Sequence, residues 1–421
     1  MNTTENTKQD PFAALRFKDF RAYIAMNFFF TFAYQMQTIV VGFYIYQLTK
    51  SVFALGMLGL SEAIPAVGIA LYGGYIADKS EKRTMLLWIY TGVFFSSAVM
   101  YIVTLKSTPP HLPAGWIVPV INSMTFCNGV ARAFFGPATF TVYTHSIPKE
   151  LYPNGTTWTS STKRLAYILG PATGGLVYGF AGITAAFYII LLFILLALIL
   201  VYLMKKYPAV YKPVENIWFS LREGIGFVFK TRMLLGAMSL DLFSVFFGGV
   251  VALLPAFAYT LLKVGPQGLG IMRAIFSIGS VLTMLVMSKY SPMNRPWRNL
   301  LIAVAGFGIS IIGFGLSRNF YLTLFFLFAQ GAFDSVSVII RGSIMQLLTP
   351  GQMRGRISAV SSMFIGSSNE LGDFESGTAA SVLGLVPAVL FGGCVTLTVV
   401  TVTYFKTRNL LSLSLADVST T

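Results

Sequence analysis

Long apolar runs alternate with short polar breaks along this chain. The run 185–204, AAFYIILLFILLALILVYLM, carries no charge. Coiled as a helix, about 20 such residues span roughly 30 Å of hydrocarbon. The pattern predicts twelve spans near 22–47, 53–77, 85–105, 115–146, 157–181, 184–204, 233–260, 268–288, 299–317, 320–348, 357–382 and 385–405. The longest polar interruption, 205–232, divides them six and six. It is basic, carries Pro208 and Pro213, and from Ile217 to Phe229 is amphipathic enough to lie along a membrane surface. The expected organisation is an all-α membrane protein: an N-terminal six-helix bundle over 1–204, a cytoplasmic linker over 205–232, and a C-terminal six-helix bundle with a short tail over 233–421.

Composition supports this class. The chain is 55% hydrophobic and only 11% charged, whereas soluble domains are about one quarter charged. The net charge of +15 resembles a nucleic-acid footprint until it is mapped onto the spans. With the N-terminus cytoplasmic, only Lys50, Lys106, Lys263 and Arg318 fall in outer loops, and Arg132, Arg273 and Arg341 fall inside spans. The remaining Lys and Arg lie on the side of the termini, as the positive-inside rule requires. Anionic lipid at the cytoplasmic face answers that charge without a nucleic acid. Cys127 and Cys394 stand alone within apolar runs and imply no disulfide framework.

The second half repeats the first weakly. A shift of about 202 residues places Gly129 on Gly331, Pro148 on Pro350, Leu169-Gly170 on Leu371-Gly372 and Gly175 on Gly377. Tandem halves with a substrate site between them are a transporter architecture. Enzymatic signatures are missing. There is no Gly-Lys dipeptide and hence no P-loop, no HExxH and no Cys/His cluster. The chain is expected to be no enzyme and to use no cofactor or metal.

Two motifs then point to a family. The loop GGYIADKSEKR (73–83) resembles the signature Gly-x-x-x-Asp-Arg-x-Gly-Arg-Arg of the major facilitator superfamily through Gly74, Asp78, Lys79, Lys82 and Arg83, with Glu81 where Gly is usual. AYILGPATGG (166–175) is similar to the span-five motif of family exporters through Gly170, Pro171, Gly174 and Gly175. The stretches FRAY (20–23), DLFSVFFGGVVALLPAFA (241–258) and LTPGQMRGRISAVSSMFIGSSNELG (348–372) look like the branch of enterobactin exporters and proton-driven multidrug exporters. The resemblance implies two pseudo-symmetric six-helix bundles, conformational roles for both motifs, and a central cavity lined by spans one, four, seven and ten.

Ionisable side chains inside spans cost roughly 2.5–3.5 kcal/mol each on insertion scales, so they face protein or water. Polar stripes occur on those same four spans: Asn27, Thr31, Tyr34 and Thr38; Thr125, Asn128, Arg132, Thr139 and Tyr143; Asp241 with Gly248 and Ala252; and Asp334, Ser337 and Arg341. Asn27, Tyr34, Asn128, Arg132, Ser337 and Arg341 are the expected substrate-cavity residues. The repeat places Arg132 on Asp334, which suggests pairing across the cavity. Span eleven carries Glu370 and Asp373 on one face, roughly 20 Å or more from its start, too deep to be solvated. Glu375 points elsewhere, as a solvated end residue. Asp241, Asp334, Glu370 and Asp373 are the expected proton-coupling or cation-recognition set. The competing expectation is a static network in which Lys163 and Arg164 neutralise the span-eleven acids. Glu62 and Arg273 read as structural, with Arg273 snorkelling to the outer interface.

The expected function is secondary active transport by alternating access, as proton-coupled antiport and efflux of amphipathic drugs or siderophores. The alternatives are an uncoupled facilitator, a transporter of an organic anion or lysolipid, and a non-transporting membrane receptor. The expected setting is a monomer in a bacterial inner membrane with both termini cytoplasmic.

Overall fold

A computed structural model describes residues 10, 12–69, 72–73, 76, 80–105, 114–206, 217–290, 292–350 and 354–411, with no strand among them. Twelve helices appear where the apolar runs predict them. The first bundle holds α1 (Lys18–Thr49), α2 (Val52–Gly68), α3 (Lys82–Thr104) and α4 (Ala114–Ser146). The element Tyr152–Leu203 supplies two more, because Gly182 sits at φ 81° and turns it. Its arms are α5 (152–181) and α6 (183–203). A linker helix, Ile217–Lys230, follows.

The second bundle starts with α7, built from Arg232–Phe247, Val250–Ala256 and a π turn Phe257–Leu261. It continues with α8 (Gly265–Lys289), α9 (Pro296–Leu316), α10 (Phe320–Leu348), α11 (Arg354–Leu383) and α12 (Leu385–Lys406). Eight of the described helical elements are long and apolar enough to cross a membrane, one of them being the two-armed Tyr152–Leu203. The protein is an integral membrane protein.

Local chemistry sets several helix ends. Ser51 accepts the Ala54 N–H at 3.3 Å and starts α2. Glu81, the residue that departs from the family loop, accepts the Arg83 and Thr84 N–H groups at 2.9 Å each and caps α3. Asn319 does the same for α10. The break in α7 was not visible as a break in the apolar run. It falls at Gly248-Gly249, and Pro255 follows inside the next segment. Proline has no N–H to give the carbonyl four residues back, so the Val251 carbonyl is freed. Arg273 of α8 donates to it through Nη2 at 3.3 Å.

Each bundle has its own apolar core. One runs from Ala14 to Met204 and includes Phe20, Met36, Tyr90 and Phe187. Another, around Trp297, Leu300 and Ile340, lies wholly in the second half. The bundles meet at the end of the molecule opposite Lys18 and Lys406, and they do so symmetrically. Gly56 of α2 lies against Gly377 of α11, and Gly270 of α8 lies against Gly175 of α5. Gly175 and Gly377 are the glycines that the 202-residue repeat superposes. Each is needed because backbone meets backbone: a Cβ on Gly377 would lie 2.7 Å from the Gly56 Cα, and one on Gly175 would lie 2.5 Å from the Gly270 Cα. Between them, Tyr46 of α1 bonds Thr260 of α7 at 2.6 Å.

This geometry predicts that Gly377→Val forces the far end apart. The reporter is Leu55→Cys, a buried cavity residue beside that contact, in a background lacking Cys127 and Cys394. Adding Gly377→Val should raise its labelling by a membrane-impermeant maleimide by about an order of magnitude, because the population moves to the far-open state. An unchanged rate would mean that the glycine contact does not hold that end closed.

Candidate functional site

Below the far-end closure the bundles separate around a cavity of about 600 Å³. Its walls come from α1, α2, α4 and α5 on one side and α7, α8, α10 and α11 on the other. A smaller chamber of about 340 Å³ opens beside it between α7, α10 and α11, sharing Asp334 and Asn369 with the main cavity.

The polar stripes contribute unevenly. Tyr34, Asn128 and Arg132 line the main cavity, and Arg341 lines the chamber. Asn128 accepts a hydrogen bond from the Ser96 hydroxyl. Asn27 does not line either space. The lower half of α1 packs on α4 there, Tyr23 against Tyr143, so Asn27 is buried and donates to the Tyr23 carbonyl at 3.0 Å. Ser337 is likewise buried away from both spaces, and its carbonyl accepts the Arg341 Nε at 3.3 Å.

The charges pair differently from the expectation. Arg132 does not bridge to Asp334. It holds Glu62 of its own bundle, Nη1 to Oε1 at 2.6 Å, and the same Oε1 accepts the Tyr34 hydroxyl at 2.6 Å. Arg341 holds Asp241 of α7, again within one bundle. Local pairing wins because a partner two or three helices away in the same bundle is in reach, whereas the opposite wall lies across the cavity. Glu62 is therefore a cavity residue and not a bystander. Arg273 also corrects its expectation. It lines the cavity rather than snorkelling outward, and its Nε is buried without a hydrogen-bond partner.

Of the expected acid set, Asp334 and Asp373 face the main cavity and Asp241 sits in the side chamber. Glu370 lies on α11, but its side chain is outside the described residues. Neither Asp334 nor Asp373 is joined by any of the ion pairs or hydrogen bonds between described side chains. Arg273, Glu62 and Arg132 act on Asp373 electrostatically, and Arg164 of α5 acts on Asp334. The static network thus has one real element, Arg164, and it reaches α10 rather than α11. Glu375 is half-buried off the cavity, accepting from its neighbour Ser376 at 3.4 Å.

The motif residues serve the walls. Gly170 and Gly174 let α5 lie on Phe32 and Met36 of α1, Gly175 makes the bundle contact, and Pro171 lines the cavity. Lys82 is buried with Nζ on the Ser80 carbonyl at 3.1 Å, and the Arg83 guanidinium lies 5.2 Å from the Tyr202 ring centre. Gly74, Asp78 and Lys79 lie outside the described residues. Reasoning from the sequence missed Gln330, which is 1% exposed yet lines the cavity one turn from Asp334. Its spacing from Asp334 on one helix was the available signal.

Over residues 9–417 the chain matches the model of a family described as transmembrane secretion effectors. It is 22% identical over 342 residues to the enterobactin exporter EntS of Shigella flexneri, covering 81% of this chain and 80% of that protein. Among solved structures, a bacterial homolog of the human lysosomal transporter Spinster, inward-facing and unoccupied, superposes with a TM-score of 0.70 at 14% identity. That match covers 94% of this chain and 98% of the other. A D-xylose-proton symporter superposes with a TM-score of 0.71 at 14% identity, covering 94% and 99%.

The Asp241–Arg341 pair generates a stability prediction. Arg341→Met strands a buried carboxylate and should cost about 3–5 kcal/mol, while joint replacement with Asp241→Asn should recover most of it. Thermal unfolding of the purified protein in detergent reads both. Equal losses in the single and double variants would show that the pair is not a local unit.

Proposed function

The chain belongs to the transmembrane secretion effector family of the major facilitator superfamily, and on that premise we propose that it is a proton-coupled exporter of amphipathic small molecules. The observation that carries this reading is the cavity between the bundles. It is mostly apolar, rimmed by aromatic side chains such as Phe30 and Tyr34, and it holds two carboxylates, Asp334 and Asp373, without a contact partner among the described residues.

In this reading the basic end of the molecule, with both termini, is cytoplasmic. The far-end closure then makes the cavity accessible from the cytoplasm. Asp373 carries the proton, with Arg273, Glu62 and Arg132 as the charged groups that face it. Proton and ligand compete for the same acidic wall, so a ligand loaded from the cytoplasm expels the proton inward. After the glycine contacts open, the ligand leaves outward and a proton from that side reoccupies the carboxylate. A ligand that binds both conformations equally would shift nothing, so coupling requires this difference. The anion-transport alternative loses support because Arg132 and Arg341 are each held by a carboxylate.

The decisive experiment measures proton release from purified protein in weakly buffered detergent on adding cationic dyes, siderophores and lysolipids. Ligand-dependent release that disappears in Asp373→Asn is the expected result. Ligand binding with no proton release from the wild type would overturn the coupling.

A further inference from the structure

We propose that the transported molecule is an amphipathic amine, whose ammonium group is held by Gln330 and Asp334 and whose apolar body occupies the side chamber. The inference rests on the main cavity being the transport site, and it adds the chemistry of the cargo.

Most polar groups in the cavity already have partners. Glu62 has Arg132 and Tyr34, Asp241 has Arg341, and Asn128 has Ser96. Asp373 lies in the field of Arg273. Asp334 has no contact partner among the described residues, and Arg164 of the facing bundle acts on it electrostatically. Gln330, one helical turn away on α10, is 1% exposed, and its Oε1 has no hydrogen-bond donor among the described residues. A buried carbonyl oxygen without a donor is costly to leave unmet. The Asp334 carboxylate and the Gln330 Oε1 are both acceptors, both residues lie on the cavity wall, and i,i+4 spacing puts them on one helix face. The complement of a carboxylate beside an amide oxygen is a positively charged N–H donor. A carboxylate or phosphate head would meet repulsion at Asp334 and no donor at the Gln330 oxygen.

The second observation is where Asp334 stands. It is one of the few residues that line both spaces. From it the side chamber runs between Leu234, Met238 and Leu242 of α7, Met345 of α10, and Phe364 and Ile365 of α11. The two methionines, Met238 and Met345, let that wall adapt to varied apolar shapes. A head group at Asp334 therefore has beside it a mostly apolar compartment of about 340 Å³, whose charged residues Asp241 and Arg341 are paired to each other. Charge at one point and hydrocarbon next to it define an amphipathic amine rather than a small polar cation.

The test uses three probes of one shape: 4-phenylbutylamine, 4-phenylbutanol and 4-phenylbutyrate. Binding to the full-length protein in lipid nanodiscs is followed by saturation-transfer difference NMR and calorimetry. The wild type should bind the amine at least about tenfold more tightly than the alcohol and the acid. Asp334→Asn should erase that preference, Gln330→Leu should weaken amine binding about tenfold, and Met345→Trp should remove the advantage of 4-phenylbutylamine over butylamine. The wild-type ranking does not depend on any variant folding. Equal binding of the three probes, or an amine preference that survives Asp334→Asn, would overturn the proposal. Proton release on adding siderophores without any amine preference would sink the cargo assignment and leave the exporter standing. Amine preference without proton release would do the reverse.

Discussion

Everything in this molecule follows from the inability of lipid to answer a charge. A carboxylate or guanidinium placed in a span must find its counterpart inside the protein or in a water-filled space, because hydrocarbon supplies neither hydrogen bonds nor screening. The chain meets this constraint bundle by bundle. Arg132 satisfies Glu62 within the first bundle and Arg341 satisfies Asp241 within the second. The groups left over collect at the interface between bundles, where the cavity lies. A site for transport is in this sense the residue of an otherwise closed electrostatic account.

The interface also has to open and close, which limits what hold it together. At the far end the bundles touch through the glycine pairs Gly56–Gly377 and Gly175–Gly270, through Tyr46–Thr260, and through Lys50, whose Nζ lies 3.5 Å from the Tyr259 ring centre. Lys50 ends α1 at φ 54° and Lys263 follows α7 at φ 53°. The two lie at corresponding places, because Tyr46-Gln47-Leu48-Thr49-Lys50 repeats as Tyr259-Thr260-Leu261-Leu262-Lys263. A left-handed conformation in a residue with a side chain costs roughly 1–2 kcal/mol, and an exposed cation–π contact returns roughly 0.5–1 kcal/mol. The same left-handed turn thus closes the helix in both halves, and at Lys50 the Tyr259 ring of the other half offsets part of its cost.

The helices were legible because their signal is local: twenty apolar residues announce themselves, and Gly175 and Gly377 could be matched by a shift. The pairings were not legible, because they depend on how each helix is rotated and on which neighbour it faces. Arg132 and Asp334 superpose in the repeat yet stand on opposite walls, and Glu62, which reads as structural in the sequence, lines the cavity from α2. Arg273 could not be placed from its position in the chain, since its anchor is a carbonyl released by Pro255 eighteen residues earlier in sequence. The break of α7 at Gly248-Gly249 was hidden inside an uninterrupted apolar run. Gln330 is hidden differently, as one uncharged polar residue in an apolar span.

These features bear on how the two ends exchange. None of the ion pairs between described side chains crosses from one bundle to the other at the far end. What crosses is backbone-to-backbone packing of glycines, apolar contact of Ile39, Phe43 and Tyr46 with Val250, Leu254, Ala256 and the Tyr259 ring, one hydroxyl–hydroxyl bond and one cation–π contact. A closure made of many small terms can be released by a ligand whose differential binding is only a few kcal/mol. A closure made of a buried ion pair would resist, since parting it leaves two uncompensated charges. The protein keeps its strong pairs inside the bundles, where nothing has to move, and its weak contacts between them.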